Sequence, residues 1–355
     1  MGTKQHGLHV QAQIRGINYT YFLCSPLQEY PLNKLSQALE THGAFILNIG
    51  GDNRIAVSWW VSAKRTRSYP YARVYNTLNF VGRKVTIIPI MKDEGKQGDR
   101  DFLQWDTISL MSLLDVYVII AYYNTAQKSR RYTHKITDQR FDRAYIKQEL
   151  ARISSFQSSA LHWNIDQIDK VKDISNRAVQ AYTNIPQQLG VSMHSLPSVQ
   201  RKVHALYRNK ETFMESSRHL AEIAQHRESV TLQPKESLSG SKGMITIRNY
   251  LGGWYYFTVD EIEIRNDTVF LIEGKHTRKH ALPSLSDIQD GLVKMVLFSN
   301  LEQVTIDGTP IASRAVLKLT STPPININTL TQKNKDLYSQ LLEEAATNRF
   351  DLRLV

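Results

Sequence analysis

The stretch from Phe257 to His276, FTVDEIEIRNDTVFLIEGKH, limits this chain more than any other. Two runs rich in β-branched and aromatic residues flank Asn266-Asp267, a suitable two-residue hairpin turn. Centring a hairpin there pairs Ile264 with Val269, Ile262 with Leu271 and Asp260 with Glu273. Glu273 and Lys275 are two apart and share a strand face. Two carboxylates and a lysine therefore converge at one end of a hairpin, above an aliphatic stripe suited to a protein interior. A three-residue loop over 266–268 would instead oppose Glu261 to Glu273 and set Glu263 against Leu271. That register leaves a carboxylate on the aliphatic face, which is costly without a partner, so the first is preferred. A solvated salt-bridge ladder would also use these charges, and Glu261 and Glu263, on the other hairpin face, are read that way.

Phosphodiester hydrolysis gives the charged end a chemical purpose. Paired carboxylates are hard oxygen ligands suited to Mg²⁺. A metal so held acidifies a bound water and neutralises phosphate charge. A neighbouring lysine orients that water, or helps deprotonate it, and offsets charge at the reacting phosphorus. Gly274 permits close approach and offers a carbonyl as a further ligand.

Asp260, Glu273-Gly274-Lys275, and the following text LPSLSDIQDGLVKMVLFSN (282–300) resemble the PD-(D/E)XK nuclease superfamily, and within it type II restriction endonucleases. The resemblance covers about the last third of the chain; Val259 stands where the motif name has proline. It implies that Asp260 and Glu273 bind Mg²⁺ and that Lys275 assists the attacking water. It also implies double-stranded DNA as substrate, a homodimer, and a cognate DNA methyltransferase as genetic partner. Some members add an acidic residue from a preceding helix, for which Glu215, Glu222 and Glu228 are candidates. A repair or recombination nuclease on the same core, and a non-catalytic DNA-binding regulator, are the alternatives.

The expected fold is α/β in three zones. Residues 1–127 read as an N-terminal α/β domain serving DNA recognition, with strands in AFILNIG, RIAVSWWVS, KVTIIPIM and VYVIIAYY and a buried helix over 101–114 capped by Asp99 or Asp101. Residues 128–235 read as a helical connector or arm without a convincing strand. Residues 236–355 read as the nuclease domain, a restriction-endonuclease-like mixed sheet flanked by helices. Its order is strand, strand, strand, helix, strand, helix, the first helix opening on a Ser286–Gln289 capping box.

Charge supports a polyanionic partner. Lys and Arg number 44 against 33 Asp and Glu, a net charge of +11. The excess clusters at Lys64, Arg65, Arg67 and Arg73, at Arg130 and Arg131 within KSRRYTHK (128–135), and at His276, Arg278 and Lys279 beside the catalytic strand. These are the expected DNA-binding residues. Asp93, Glu94 and Lys96 form a weaker rival centre on a glycine-bearing loop. The single cysteine, Cys24, excludes an internal disulfide framework and a cysteine-based zinc cluster. With no apolar signal core and no membrane-length apolar run, a cytoplasmic location is expected.

Overall fold

The computed structural model describes residues 8–51, 53–64, 69–207, 241–249, 254–278 and 281–355. It is mixed α/β and divides into two units, Met1–Ser25 with Arg218–Val355, and Pro26–Ser217. Among the described residues, no helix is long and apolar enough to cross a membrane.

The first unit runs β1 (His9–Ile14), β2 (Ser241–Asn249), β3 (Trp254–Arg265), β4 (Thr268–Thr277), α1 (Leu285–Phe298), β5 (Glu302–Ile306), β6 (Thr309–Pro310), β7 (Ala312–Ser321), α2 (Gln332–Asn348) and β8 (Asp351–Leu354). The strands form one eight-stranded mixed sheet in the order β6-β5-β1-β2-β3-β4-β7-β8. β4 runs antiparallel to β3 and parallel to β7. It is a central strand, and from Leu271 to Gly274 every residue is buried, as expected where both faces are covered.

The hairpin forms in the expected register. Ile262 pairs with Leu271 and Ile264 with Val269. Asn266 and Asp267 both take positive φ (47° and 58°), the conformation of a type I′ turn, which Asn and Asp tolerate. Of the aliphatic stripe, Ile262, Leu271 and Val269 are buried, whereas Ile264, next to the turn, is 49% exposed.

α1 lies on the β4 face that carries Glu273 and Lys275. Its stripe of Ile288, Leu292, Met295 and Val296 is fully buried. Gly291 allows a close approach: a Cβ there would fall 2.9 Å from Leu317 Cδ1 and 3.1 Å from Lys275 Cε. The N-cap is Ser284, whose Oγ accepts from Asp287 N at 3.1 Å, two residues before the Ser286 expected from sequence. Gln289 is instead buried and donates through Nε2 to Leu23 O at 2.8 Å.

The two units divide the chain differently from the three zones read from sequence: Pro26–Ser217 is one unit, and Met1–Ser25 falls with Arg218–Val355. β1 pairs in parallel with β2, so the first 25 residues belong with the C-terminal unit. The segment after β1 is bound there by α2. Buried Glu344 accepts from Tyr19 Oη (2.8 Å), Phe22 N (3.1 Å) and Leu23 N (3.1 Å), and Asn348 bonds both backbone groups of Thr20.

The second unit is built on a five-stranded mixed sheet of Glu29–Pro31, Ala44–Gly50, Asn53–Trp59, Arg83–Pro89 and Val116–Ala121. Its core joins Phe45, Val57, Ile87 and Ile119 to Ile146, Leu150 and Trp163 from the helices Arg143–Ser155 and Ala160–Asp169. The zone read as a strandless connector supplies these helices and also a strand. Ile136–Phe141 pairs with Tyr123–Lys128 as a separate two-stranded ribbon. Its sequence is polar because much of the ribbon is exposed, which hides it from a reading based on apolar runs. The buried helix expected over 101–114 spans Trp105–Leu113 and starts at Gln104 with no side-chain cap. Asp101 lies in a short strand, Arg100–Phe102, rather than at the cap.

Candidate active site at the bulged end of the hairpin

Between Val259 and Ile262, β3 carries one more residue than the facing part of β2, where Gly243 pairs with Val259 and Ser241 with Ile262. This is a β-bulge at Asp260-Glu261, a device that bends a strand and re-aims its side chains. The β3–β4 ladder ends at Glu261 opposite Ile272. Beyond it the Gly274 N–H donates to Asp260 Oδ2 at 2.9 Å. One motif carboxylate is thereby fixed against the backbone that joins the other two motif residues.

Glu273 is 2% exposed. Its Oε1 lies 3.0 Å from Lys275 Nζ and its Oε2 lies 2.5 Å from Lys294 Nζ. Lys275 Nζ also donates to Asp290 Oδ2 at 3.1 Å, and Lys294 Nζ to Thr258 O at 3.3 Å. Burial alone would raise the Glu273 pKa, but Lys294 and Lys275 outweigh it and hold the carboxyl at about 2. Burial would likewise favour neutral Lys275, yet Glu273, Asp290 and Asp260 push its pKa above the usual lysine range. At neutral pH Glu273 is therefore an anion and Lys275 a cation. Lys275 is a hydrogen-bond donor to Glu273 and Asp290.

Asp290 and Lys294 are the members of the cluster that the sequence reading missed. They stand four apart on α1 and so share a helix face. That spacing was visible, but the apolar stripe of the same helix dominated its reading. The candidates Glu215, Glu222 and Glu228 lie outside the described residues.

The other hairpin face differs from its reading as a solvated face. Glu261 is fully buried, with Oε2 2.8 Å from Lys318 Nζ. Lys318 pairs with Gly274 across the parallel ladder, which puts this ion pair on the sheet face opposite Glu273. Glu263, nearer the turn, pairs with Arg265 (2.8 Å) and Arg353 (3.0 Å).

The oxygens of Asp260, Glu273 and the Gly274 peptide are the donor type that Mg²⁺ takes, and both Glu273 oxygens are paired here with lysines. Among the described residues, no three His, Cys, Asp or Glu side chains are grouped to hold a metal. A sparse protein set still suits Mg²⁺, which keeps several waters and shares phosphate oxygens.

The expected DNA-binding residues divide. Arg73 is used internally: its guanidinium stacks 4.3 Å from the Trp59 ring centre and donates to Trp59 O at 2.9 Å. Burial lowers its pKa. Lys64 is exposed but sits 2.7 Å from buried Asp101, whose charge it compensates. His276 bonds Thr320 Oγ1 at 2.8 Å and shares the Lys318 face of β4, away from Glu273. Arg278, Arg130 and Arg131 are exposed. Arg65, Arg67 and Lys279 lie outside the described residues. The rival centre is not assembled: buried Asp93 is taken by His194 Nδ1 (2.9 Å) and Gly95 N (2.9 Å), and Glu94 by Lys92 (3.2 Å). No protein-family model, no curated protein and no solved structure matches this chain.

Proposed function

We propose that this chain is a Mg²⁺-dependent endonuclease that hydrolyses phosphodiester bonds of double-stranded DNA, and specifically a type II restriction endonuclease on a PD-(D/E)XK core. The observation that carries the reading is the joining of Asp260, Glu273 and Lys275 at a bulge in the middle of a mixed sheet, with α1 laid across them. Asp260 and Glu273 would hold the metal, together with the carbonyl of Gly274. When bound, Mg²⁺ supplies an acidified water and neutralises charge on the scissile phosphate.

The chain's own residues do the rest. The Gly274 N–H orients Asp260. Lys294 and Lys275 keep Glu273 ionised, as a ligand must be. Asp290 steers the Lys275 ammonium and helps keep it protonated. Lys275, as a cation and hydrogen-bond donor, would orient the attacking oxygen and offset charge on the phosphate, and the attacking water's proton would pass to solvent water.

Under this reading the chain works as a homodimer on twofold sites, in the cytoplasm, beside a methyltransferase that protects the same sites. Digestion of unmethylated plasmid with Mg²⁺ is the test. Discrete fragments support restriction, smeared or structure-dependent cutting supports a repair-type nuclease, and no cutting supports a DNA-binding regulator.

A further inference from the structure

The ribbon of Tyr123–Lys128 and Ile136–Phe141 is a two-stranded sheet of its own. Its base is fixed: Tyr123 and Phe141 are buried and stack with ring centres 4.5 Å apart, and Gln139 accepts from the Tyr182 hydroxyl. Its outer surface is exposed at Asn124, Thr125, Gln127, Lys128 and Thr137, with Gln127 directly opposite Thr137.

The tip, KSRRYTHK (128–135), carries Lys128, Arg130, Arg131 and Lys135 and no acid. Among the described residues, none of these four makes an ion pair. Arg140, lower on the ribbon, is by contrast neutralised by Glu40 and Asp138. The tip is also held in shape. Ser129 N donates to Lys135 O (2.9 Å), Lys135 N to Tyr132 O (2.8 Å) and Tyr132 N to Ser129 Oγ (3.1 Å). A loop braces it from behind, through Ile136 N to Glu94 O at 3.0 Å. Gly95 in that loop has φ +110°, and a Cβ there would come within 2.7 Å of His134 O. The loop is anchored in turn by the Asp93–His194 pair and by Lys96 N to Ser192 O (2.9 Å).

An uncompensated cationic tip on a braced ribbon, with an amide and a hydroxyl side by side below it, suits one partner chemistry. A two-stranded ribbon fits the major groove of duplex DNA, where glutamine can pair with adenine through two hydrogen bonds. Cations at its end meet phosphates, which position the protein without reading sequence. We infer that this ribbon is a DNA-reading arm that enters the major groove, with Gln127 and Thr137 contacting base edges and Lys128, Arg130 and Arg131 gripping the backbone. The inference rests on the reading that the chain acts on DNA, and it adds where the sequence is read.

The test uses the full chain in EDTA, so that no cutting occurs. Fluorescence anisotropy on random-sequence duplexes across a salt series gives affinity and salt slope, and selection from a randomised duplex library gives preference. Arg130→Gln with Arg131→Gln should weaken binding to every sequence and make the log–log salt slope shallower by about 2. Gln127→Ala with Thr137→Val should keep the salt slope but lower preference at one base pair by roughly tenfold. Melting curves identify any variant that is not folded. Lys128→Gln then serves in place of the arginine pair, with a slope change of about 1. Wild-type slope and wild-type preference in these variants would overturn the arm. A wild-type chain that binds with these dependences but never cuts with Mg²⁺ would remove the nuclease reading and leave the arm. A chain that cuts, with ribbon variants indistinguishable from wild type, would remove the arm alone.

Discussion

Glu261 and Glu273 stand on adjoining strands of one hairpin, both buried and both paired with lysine, yet their surroundings differ. Glu261 is fully buried and its charge is met by Lys318, which is buried too. Glu273 pairs with Lys294 and with Lys275, which it shares with Asp290 within the electrostatic reach of Asp260, and the side chains of Lys275 and Asp290 are 17% and 23% exposed. A fully buried ion pair is closed to a ligand and fixes structure. A partly exposed cluster of carboxylates and lysines can face a substrate. Burial of a carboxylate beside a lysine therefore does not mark a site; access does.

The largest expected effect separates the two faces by activity. Asp260→Asn, Glu273→Gln and Lys275→Ala should each lower Mg²⁺-dependent cleavage by at least about 100-fold, the scale for losing one charge-stabilising group. DNA affinity and melting temperature should change little in Asp260→Asn, as anisotropy and calorimetry would record. Next is stability. Glu261→Gln or Lys318→Met alone should destabilise the protein by about 3–5 kcal/mol, because each strands a buried charge. Replacing both by apolar residues of similar size should recover most of that loss in denaturant titrations. Cleavage below the melting temperature should survive the double replacement.

Acid unfolding sharpens the contrast further. The Glu273 pKa is lowered from 4.5 to about 2 in the folded chain. A carboxyl depressed on folding stabilises the protein above its unfolded pKa and loses that contribution as pH falls through its folded one. Glu273 therefore adds on the order of 3 kcal/mol at neutral pH. That contribution fades between pH 4.5 and about 2. Glu273→Gln should flatten this part of the stability profile. Lys294→Gln should move it to higher pH, since one of the two cations that depress the carboxyl is gone. The smallest effect belongs to Glu263→Ala, where a partly exposed pairing with Arg265 and Arg353 is lost. A change under about 1 kcal/mol is expected there.

The parts of this arrangement that were legible in the sequence are local. Alternating aliphatics and an Asn-Asp turn specify the hairpin register without reference to any other strand. The bulge at Asp260-Glu261 was hidden because an extra residue in β3 is defined only against β2. The buried state of Glu261 was hidden for a similar reason, since Lys318 arrives on β7 from beyond α1. Parallel pairing of β1 with β2 leaves no local trace in HVQAQI, which looks alike beside any partner. Arg73 sits in a basic run that suggests solvent or phosphate, and Trp59, which turns it inward, is distant in sequence. Asp290 and Lys294 were readable from their spacing, but the buried stripe on the same helix gave the stronger signal.

The central claim is that Asp260 belongs to a Mg²⁺-dependent phosphodiesterase centre while its neighbour Glu261 belongs to the scaffold. Plasmid cleavage by Asp260→Asn, assayed beside wild type and the Glu261→Leu, Lys318→Met double variant with Mg²⁺ and with EDTA, tests it most directly. The account predicts Mg²⁺-dependent cutting by wild type and the double variant, none by Asp260→Asn, and none by any in EDTA. Wild-type cutting by Asp260→Asn, or a folded double variant that fails to cut, would contradict it.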